Sequence, residues 1–406
     1  MGMTRARRVR GIVSGLLALA VVAGVVYAAA ALLSPVPRLH IEQTISASLD
    51  GRWDAALALP ADGSTAVLAA EGLPATAGSS DPRPIAGAAK LVLVSVVLGV
   101  EPLEAGAPGP TITIEQAAVD RYRALSAAGA RTVAVQFGQT WTRRDLIAAT
   151  LIGSGNNTAE LLVDAVFGGL DDYRAAARTW LDEQGLTSTT VVDGTGLDPA
   201  SLSTASDMAQ LARLALETPV LAELLSTRLD ETSANSPISD EADFVSELGT
   251  VGLTRTYTDA AGVCVIVGVP VGDETIIIAM LGQPGYPAAE AAAADLIESI
   301  RAGVQPIEVV SAGEVVAIAR SQWGQSTELI ATEAITVSST QLAGLDLRLE
   351  AASRSTVLPG ADAGSIVVTA GGVEQVVRLE STTAITEPGV AWRFADPLTV
   401  LARWTG

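Results

Sequence analysis

Lysine is nearly absent from this chain: Lys90 is the one copy in 406 residues, beside 24 arginines. Cysteine and histidine also occur once each, as Cys264 and His40, and asparagine three times, as Asn156, Asn157 and Asn235. One cysteine excludes an internal disulfide and any cysteine-built zinc site, and one histidine excludes a histidine cluster. Set in an apolar run, Cys264 reads as a small core residue, and His40 as a surface residue close to a membrane. Positive charge is scarce as well. The formal net charge is −20 and the arginines beyond residue 40 are scattered, so there is no basic footprint for nucleic acid. Aromatics make up 4 % against 49 % apolar residues, which leaves alanine and valine to fill cores of ordinary size. The arginine-for-lysine, alanine-rich habit runs from end to end. Against it, a rare residue type marks a place where chemistry or ancestry resisted drift.

What is present begins with a membrane segment. Arg5, Arg7, Arg8 and Arg10 precede an uncharged stretch from Gly11 to Ser34. As a helix it rises roughly 35 Å, enough for a hydrocarbon core of about 30 Å. Arginines before it and acid-rich sequence after it place the N-terminus in the cytoplasm and the remainder outside. Small residues at Ala28 to Ala31 also suit a cleaved signal peptide, but the apolar core exceeds the usual stretch of about 7–15 residues, favouring a retained anchor.

Residues 35–49, opening on Pro35-Val36-Pro37, read as a linker. Trp53 to Ala70 alternates weakly around Asp62-Gly63 and reads as a hairpin. Pro84 opens an apolar helix, Ile85 to Val100, whose one charge is Lys90 and which is too short for a second span. Helices are expected from Thr142 to Gly153, from Ala159 to Val166 after the break Ser154-Gly155-Asn156-Asn157, from Asp171 (a candidate cap) to Gln184, and from a cap at Thr204 or Ser206 to about Leu216. The period then shortens. Gly252 to Thr258, Val263 to Val269 and Thr275 to Leu281 are strand-like, the first two joined across Asp259-Ala260-Ala261-Gly262, and a helix from Ala288 to Ile300 closes the unit. Beyond Pro306, six short strand candidates lie between Glu314 and Leu379 with no helix among them. The expected organisation is a cytoplasmic basic tail (1–10), a transmembrane anchor (11–34), the linker (35–49), a mixed domain (50–305) and a β-rich domain (306–406).

Three short signals fall in order along the mixed domain. Pro84-Ile-Ala-Gly-Ala-Ala-Lys90 resembles the Pro-Ile-Ala-Ser-x-x-Lys start of the central helix in serine D-alanyl-D-alanine carboxypeptidases, the low-molecular-mass penicillin-binding proteins related to class A β-lactamases. Ser154-Gly155-Asn156 resembles their Ser-x-Asn loop, and Thr254-Arg255-Thr256 stands at the place of their Lys-Thr-Gly strand. Asp193-Gly-Thr-Gly-Leu-Asp198, Leu202-Ser-Thr-Ala-Ser-Asp207 and a β-rich tail with Trp392 near its end add support. Each motif alone is weak. The ordered set carries the resemblance, which extends from Trp53 onward. It implies an α+β fold of the β-lactamase/penicillin-binding transpeptidase type, an antiparallel sheet packed with helices, here with an N-terminal transmembrane helix and a C-terminal β-rich domain. It further implies no cofactor and no metal, a peptidoglycan stem peptide as partner, and a single-pass location at the cell membrane with the folded domains outside the cytoplasm.

The same resemblance assigns roles. In that family a lysine of lowered pKa activates a serine hydroxyl, the Ser-x-Asn serine relays the proton, its asparagine orients the substrate amide, and the Lys-Thr-Gly strand binds the terminal carboxylate and shapes the oxyanion hole. Here Lys90, Ser154 and Asn156 match. Gly87 replaces the nucleophile, Thr254 the strand lysine and Thr256 its glycine. No Ser-x-x-Lys and no Lys-Thr-Gly exists anywhere in the chain, and loss of such a nucleophile lowers turnover on the order of 10⁶-fold. Strand alternation puts Thr254 and Thr256 on one face and Arg255 on the other. The leading expectation is a membrane-anchored pseudoenzyme that retains the catalytic positions Lys90, Ser154 and Asn156 and binds stem peptides at Thr254, Arg255 and Thr256. Two alternatives stand beside it: a cell-envelope scaffold with a vestigial cleft, and residual carboxypeptidase activity through Ser154 or Thr256.

Overall fold

The computed structural model describes residues 3–45, 56–69, 72–240, 248–272, 274–394 and 397–405. The chain divides into two compact units, Arg52–Gln305 and a second built from both chain ends, Met1–Gly51 with Pro306–Gly406. The two-ended unit opens with α1 (Met3–Leu32) and β1 (His40–Gln43). Within α1, Val9–Leu32 is long and apolar enough to cross a membrane. The stretch expected as a linker is in part a strand. β1 pairs antiparallel with a strand of the C-terminal region, His40 opposite Arg320 and Ile41 opposite Ala319. Only four residues long and mostly exposed, it carries too little hydrophobic patterning to announce itself.

The unit Arg52–Gln305 contains, in order, β2 (Ser64–Ala69), β3 (Gly72–Gly78), β4 (Arg83–Pro84), a 3₁₀ turn at Ala86–Ala88, α2 (Ala89–Val100), β5 (Thr111–Thr113), α3 (Gln116–Ala127), β6 (Thr140–Thr142), α4 (Arg143–Leu151), α5 (Asn156–Phe167), α6 (Leu170–Glu183), β7 (Leu202–Ser203), α7 (Ala205–Glu217), α8 (Pro219–Thr227), β8 (Val251–Thr258), β9 (Gly262–Val271), β10 (Glu274–Gln283) and α9 (Tyr286–Gly303). Its sheet runs β3-β2-β10-β9-β8, with every neighbour antiparallel. Alternation along β9 divides the core in two. Val263, Val265, Val267 and Val269 pack with Ala289, Ala293, Leu296 and Ile300 of α9. Cys264 and Ile266 join the cluster that holds α2, α4 and α7. Helix α2 is buried on every side from Ala89 to Leu98, which accounts for its unbroken apolar run.

Several local signals act at their stated places. Thr142 caps α4 in a reciprocal capping box with Asp145, and the Thr204 hydroxyl accepts from the Asp207 N–H to start α7. Two expectations need correction. The hairpin sits one strand later than Asp62-Gly63 suggested: β2 is buried at every position and pairs with β3, while residues 53–55 and 70 lie outside the described residues. The cap of α6 is Gly169 rather than Asp171, which lies in its first turn.

The rest of the two-ended unit comprises β11 (Pro306–Val310), β12 (Val315–Arg320), β13 (Ser326–Ala331), β14 (Ile335–Ser338), β15 (Asp346–Ala351), β16 (Asp362–Ala370), β17 (Val373–Ser381), α10 (Val390–Arg393) and α11 (Pro397–Thr405). Six strands form one sheet in the order β1-β12-β13-β17-β16-β15, and β11 pairs with β14. The two terminal helices had no clear signal in the sequence. They pack beside the end of α1, where Arg393 Nη1 donates to the Leu32 carbonyl (3.0 Å) and Trp404 Nε1 to that of Ala30 (3.1 Å).

One contact fixes the start of α2. Gly196 has φ +74°, and any Cβ there would overlap the carbonyl oxygen of Ala86, in the turn that leads into the helix. Gly196→Ala is therefore expected to lower stability by about 2 kcal/mol or more, a fall in melting temperature of roughly 4 °C or more by scanning calorimetry. An unchanged transition would contradict the close approach.

Candidate active-site cleft

Two of the four non-glycine residues with positive φ among the described residues flank one cleft: Ala86 (+47°), just before Gly87, and Ser154 (+49°) in the loop between α4 and α5. Strained backbone of this kind persists where the surroundings over-determine it, and it gathers at functional sites. Lys90 lies in the first turn of α2. It is 4 % exposed, and its Nζ donates to the Thr195 carbonyl at 3.0 Å. Burial pulls the amine down to about 7 from the ordinary lysine value; attraction to Asp193 opposes the shift and repulsion from Arg131 adds to it. Asp193 is itself held in place, accepting from the N–H groups of Thr195 (3.1 Å), Gly196 (2.5 Å) and Asp198 (3.0 Å).

On the facing loop, Asn156 is clamped from both of its nitrogens. Its backbone N–H and its Nδ2 each donate to the Arg131 carbonyl at 2.9 Å. That orientation leaves Oδ1 buried with no hydrogen-bond partner. The third wall is β8. Thr256 Oγ1 accepts from the Gly87 N–H at 3.0 Å. A Cβ added at Gly87 would meet that same oxygen at 2.6 Å and Lys90 Nζ at 3.0 Å. The hydroxyl of Thr256 thus stands in the space a side chain at position 87 would enter.

The cleft between these walls measures about 530 Å³ and is lined by Gly87, Lys90, Arg131, Ser154, Asn156 and Thr256, with Thr195, Leu197 and Tyr286 among its other walls. The structure therefore gathers four of the six residues singled out from the sequence: Lys90, Ser154, Asn156 and Thr256. It does not gather the other two. Thr254 is buried and does not line the cleft. Arg255 ion-pairs with Glu290 of α9 at 2.6 Å and lies over the Tyr286 ring, 5.1 Å from its centroid. Arg131, Thr195 and Tyr286 escaped the sequence analysis. Thr195 fell inside a noted patch, Asp193-Gly-Thr-Gly, whereas Arg131 sits in an aperiodic loop whose place depends on a contact 25 residues along the chain. Among the described residues, no group of three or more His, Cys, Asp or Glu is placed to hold a metal ion.

A buried amine has a cost that depends on pH. The unfolded chain keeps the lysine proton up to about pH 10.4, whereas the folded chain releases it near pH 7, so the unfolded state binds more protons between these values. Stability of the natural chain accordingly rises with pH through that window, and the penalty is complete below pH 7. Lys90→Met is expected to melt higher than the natural chain at pH 6, with the gain shrinking toward pH 10. A lower melting temperature at every pH would mean that the bond to Thr195 outweighs burial.

The model of the D-alanyl-D-alanine carboxypeptidase family matches residues 74–285, just over half of the chain. D-alanyl-D-alanine endopeptidase of Escherichia coli is 25 % identical over 211 residues, covering 50 % of this chain and 64 % of that protein. D-alanyl-D-alanine carboxypeptidase DacB2 of Mycobacterium tuberculosis is 30 % identical over 171 residues, covering 38 % and 57 %. The chain thus spans less than two thirds of the length of these curated relatives. Among solved structures, penicillin binding protein 5 from Haemophilus influenzae superposes with a TM-score of 0.55 at 17 % identity, covering 80 % of this chain and 98 % of that one, a likeness of fold. With Gly87, Lys90, Ser154, Asn156 and Thr256 of the cleft all inside the matched segment, the chain belongs to the D-alanyl-D-alanine carboxypeptidase family.

Proposed function

We propose that this chain is an exported, single-span membrane protein of the cell envelope whose cleft binds peptidoglycan stem peptides without forming an acyl-enzyme. The orientation follows from Arg5, Arg7 and Arg8 ahead of the Val9–Leu32 span and Arg10 at its start. The peptide ligand is inferred from the D-alanyl-D-alanine peptidase activity that the family and these relatives are named for, together with the retained Lys90, Ser154 and Asn156.

One observation carries the loss of chemistry. Position 87 has no side chain, and its N–H already donates to Thr256 Oγ1. In serine-type acyl transfer the nucleophile's own N–H is one of the donors that meets the developing oxyanion. Here the Thr256 hydroxyl crowds the position a side chain at residue 87 would need and occupies one donor for the oxyanion. Lys90, poised near neutrality, has no serine hydroxyl at position 87 to deprotonate.

A fluorescent penicillin is expected to leave the natural chain unlabelled. Gly87→Ser alone is expected to stay unlabelled as well, because its Cβ meets Thr256 Oγ1 at 2.6 Å. Labelling should return when Gly87→Ser is combined with Thr256→Gly, which clears that contact. Covalent labelling of the natural chain, or release of D-alanine from a synthetic peptide by it, would overturn the reading in favour of Thr256 or Ser154 as nucleophile.

A further inference from the structure

The charge of the cleft is opposite to that of the protein. The chain carries 45 acidic residues against 25 basic ones, yet the described residues lining the cleft include two cations, Lys90 and Arg131, and no carboxylate. Arg255 adds little there, because Glu290 takes up its charge. Asp193 attracts Lys90 from behind, with its oxygens occupied by three backbone N–H groups.

Arg131 and Lys90 lie near enough to repel one another electrostatically, and both face the same open volume. An anion between them relieves that repulsion and gains two charge-assisted hydrogen bonds. The Lys90 ammonium has three donors, of which the Thr195 carbonyl takes one among the described residues. Arg131 is anchored at its backbone, since both nitrogens of Asn156 donate to its carbonyl. The same clamp turns Asn156 Oδ1 away from Arg131 and leaves this acceptor, on a residue only 3 % exposed, without a partner. A group that fits the cleft therefore carries a negative charge for the cations and an N–H for Asn156. The C-terminus of a peptide offers both, one Cα apart.

We propose that Arg131, which lies outside the three motif segments, binds the terminal carboxylate of the peptide together with Lys90, while Asn156 Oδ1 accepts the N–H of its last amide. This inference rests on the stem-peptide reading above and moves the carboxylate site from the Thr254 strand to the opposite wall.

Calorimetry on the full chain in nanodiscs tests it with three probes: a diacetyl-Lys-D-Ala-D-Ala peptide, its C-terminal amide, and inorganic phosphate. The acid is expected to bind at least about tenfold tighter than the amide, the scale of one charge-assisted hydrogen bond. Arg131→Ala should erase that difference by weakening the acid alone, and Arg131→Lys should recover part of it at low salt. Equal binding of acid and amide by the natural chain, or equal weakening of both by Arg131→Ala, overturns the carboxylate assignment while leaving the stem-peptide reading intact. Phosphate binding as tight as the acid peptide also overturns it, marking a general anion site. If the natural chain binds neither peptide form, the stem-peptide reading fails first and this inference with it.

Discussion

The burial of one amine organises the functional half of this molecule. Lys90 sits in the first turn of a helix enclosed on every side, where an ammonium loses its hydration and must find protein oxygen instead. The Thr195 carbonyl supplies that oxygen, and it is in reach because the Asp193–Asp198 loop folds around an aspartate and presses Gly196 against Ala86. The strained backbone at Ala86, the glycine that nothing else can replace, and the near-neutral amine are parts of one arrangement. Remove the lysine and the loop has no charge to face; remove the loop and the lysine has no partner.

Much of this was legible in the sequence, for reasons that can be named. A helix buried all round must be apolar all round, so a single charge in such a run is conspicuous. Ser154-Gly155-Asn156 marks a helix break through residue types that favour turns and helix starts. The alternation of Thr254, Arg255 and Thr256 assigned the arginine to the far face, where α9 meets it with Glu290. What stayed hidden rests on contacts distant along the chain. The bond from Gly87 to Thr256 joins residues 169 positions apart, and no local pattern announces it. Arg131 is held by a carbonyl contact in an irregular loop. β1 is a four-residue edge strand, and α10 and α11 are short helices whose signals are weaker than those of the strands before them.

The cleft keeps the frame of the family with its hydroxyl and its bare position exchanged between walls. The family pattern places a hydroxyl on the helix and a hydrogen-only residue on the strand; this chain has the reverse, Gly87 on the helix side and Thr256 on β8. The exchange conserves packing, because the oxygen fills the volume from the other wall. Such compensation preserves fold and cavity together, since interiors pack too densely to accept a lone change of volume.

The pairing of β1 with β12 also bears on how the chain is assembled. Residues 40–43 are made early, but their sheet neighbour begins at Val315, and the sheet is finished by β17, which ends at Ser381. In a chain made from its N-terminus, the whole Arg52–Gln305 unit emerges in between. That unit has its own cores and can close while β1 still waits, tethered behind α1, for a partner about 270 residues downstream. The outermost domain in sequence is thus the last to be completed, and an interruption of synthesis anywhere before Val315 leaves an open strand edge beside the apolar helix.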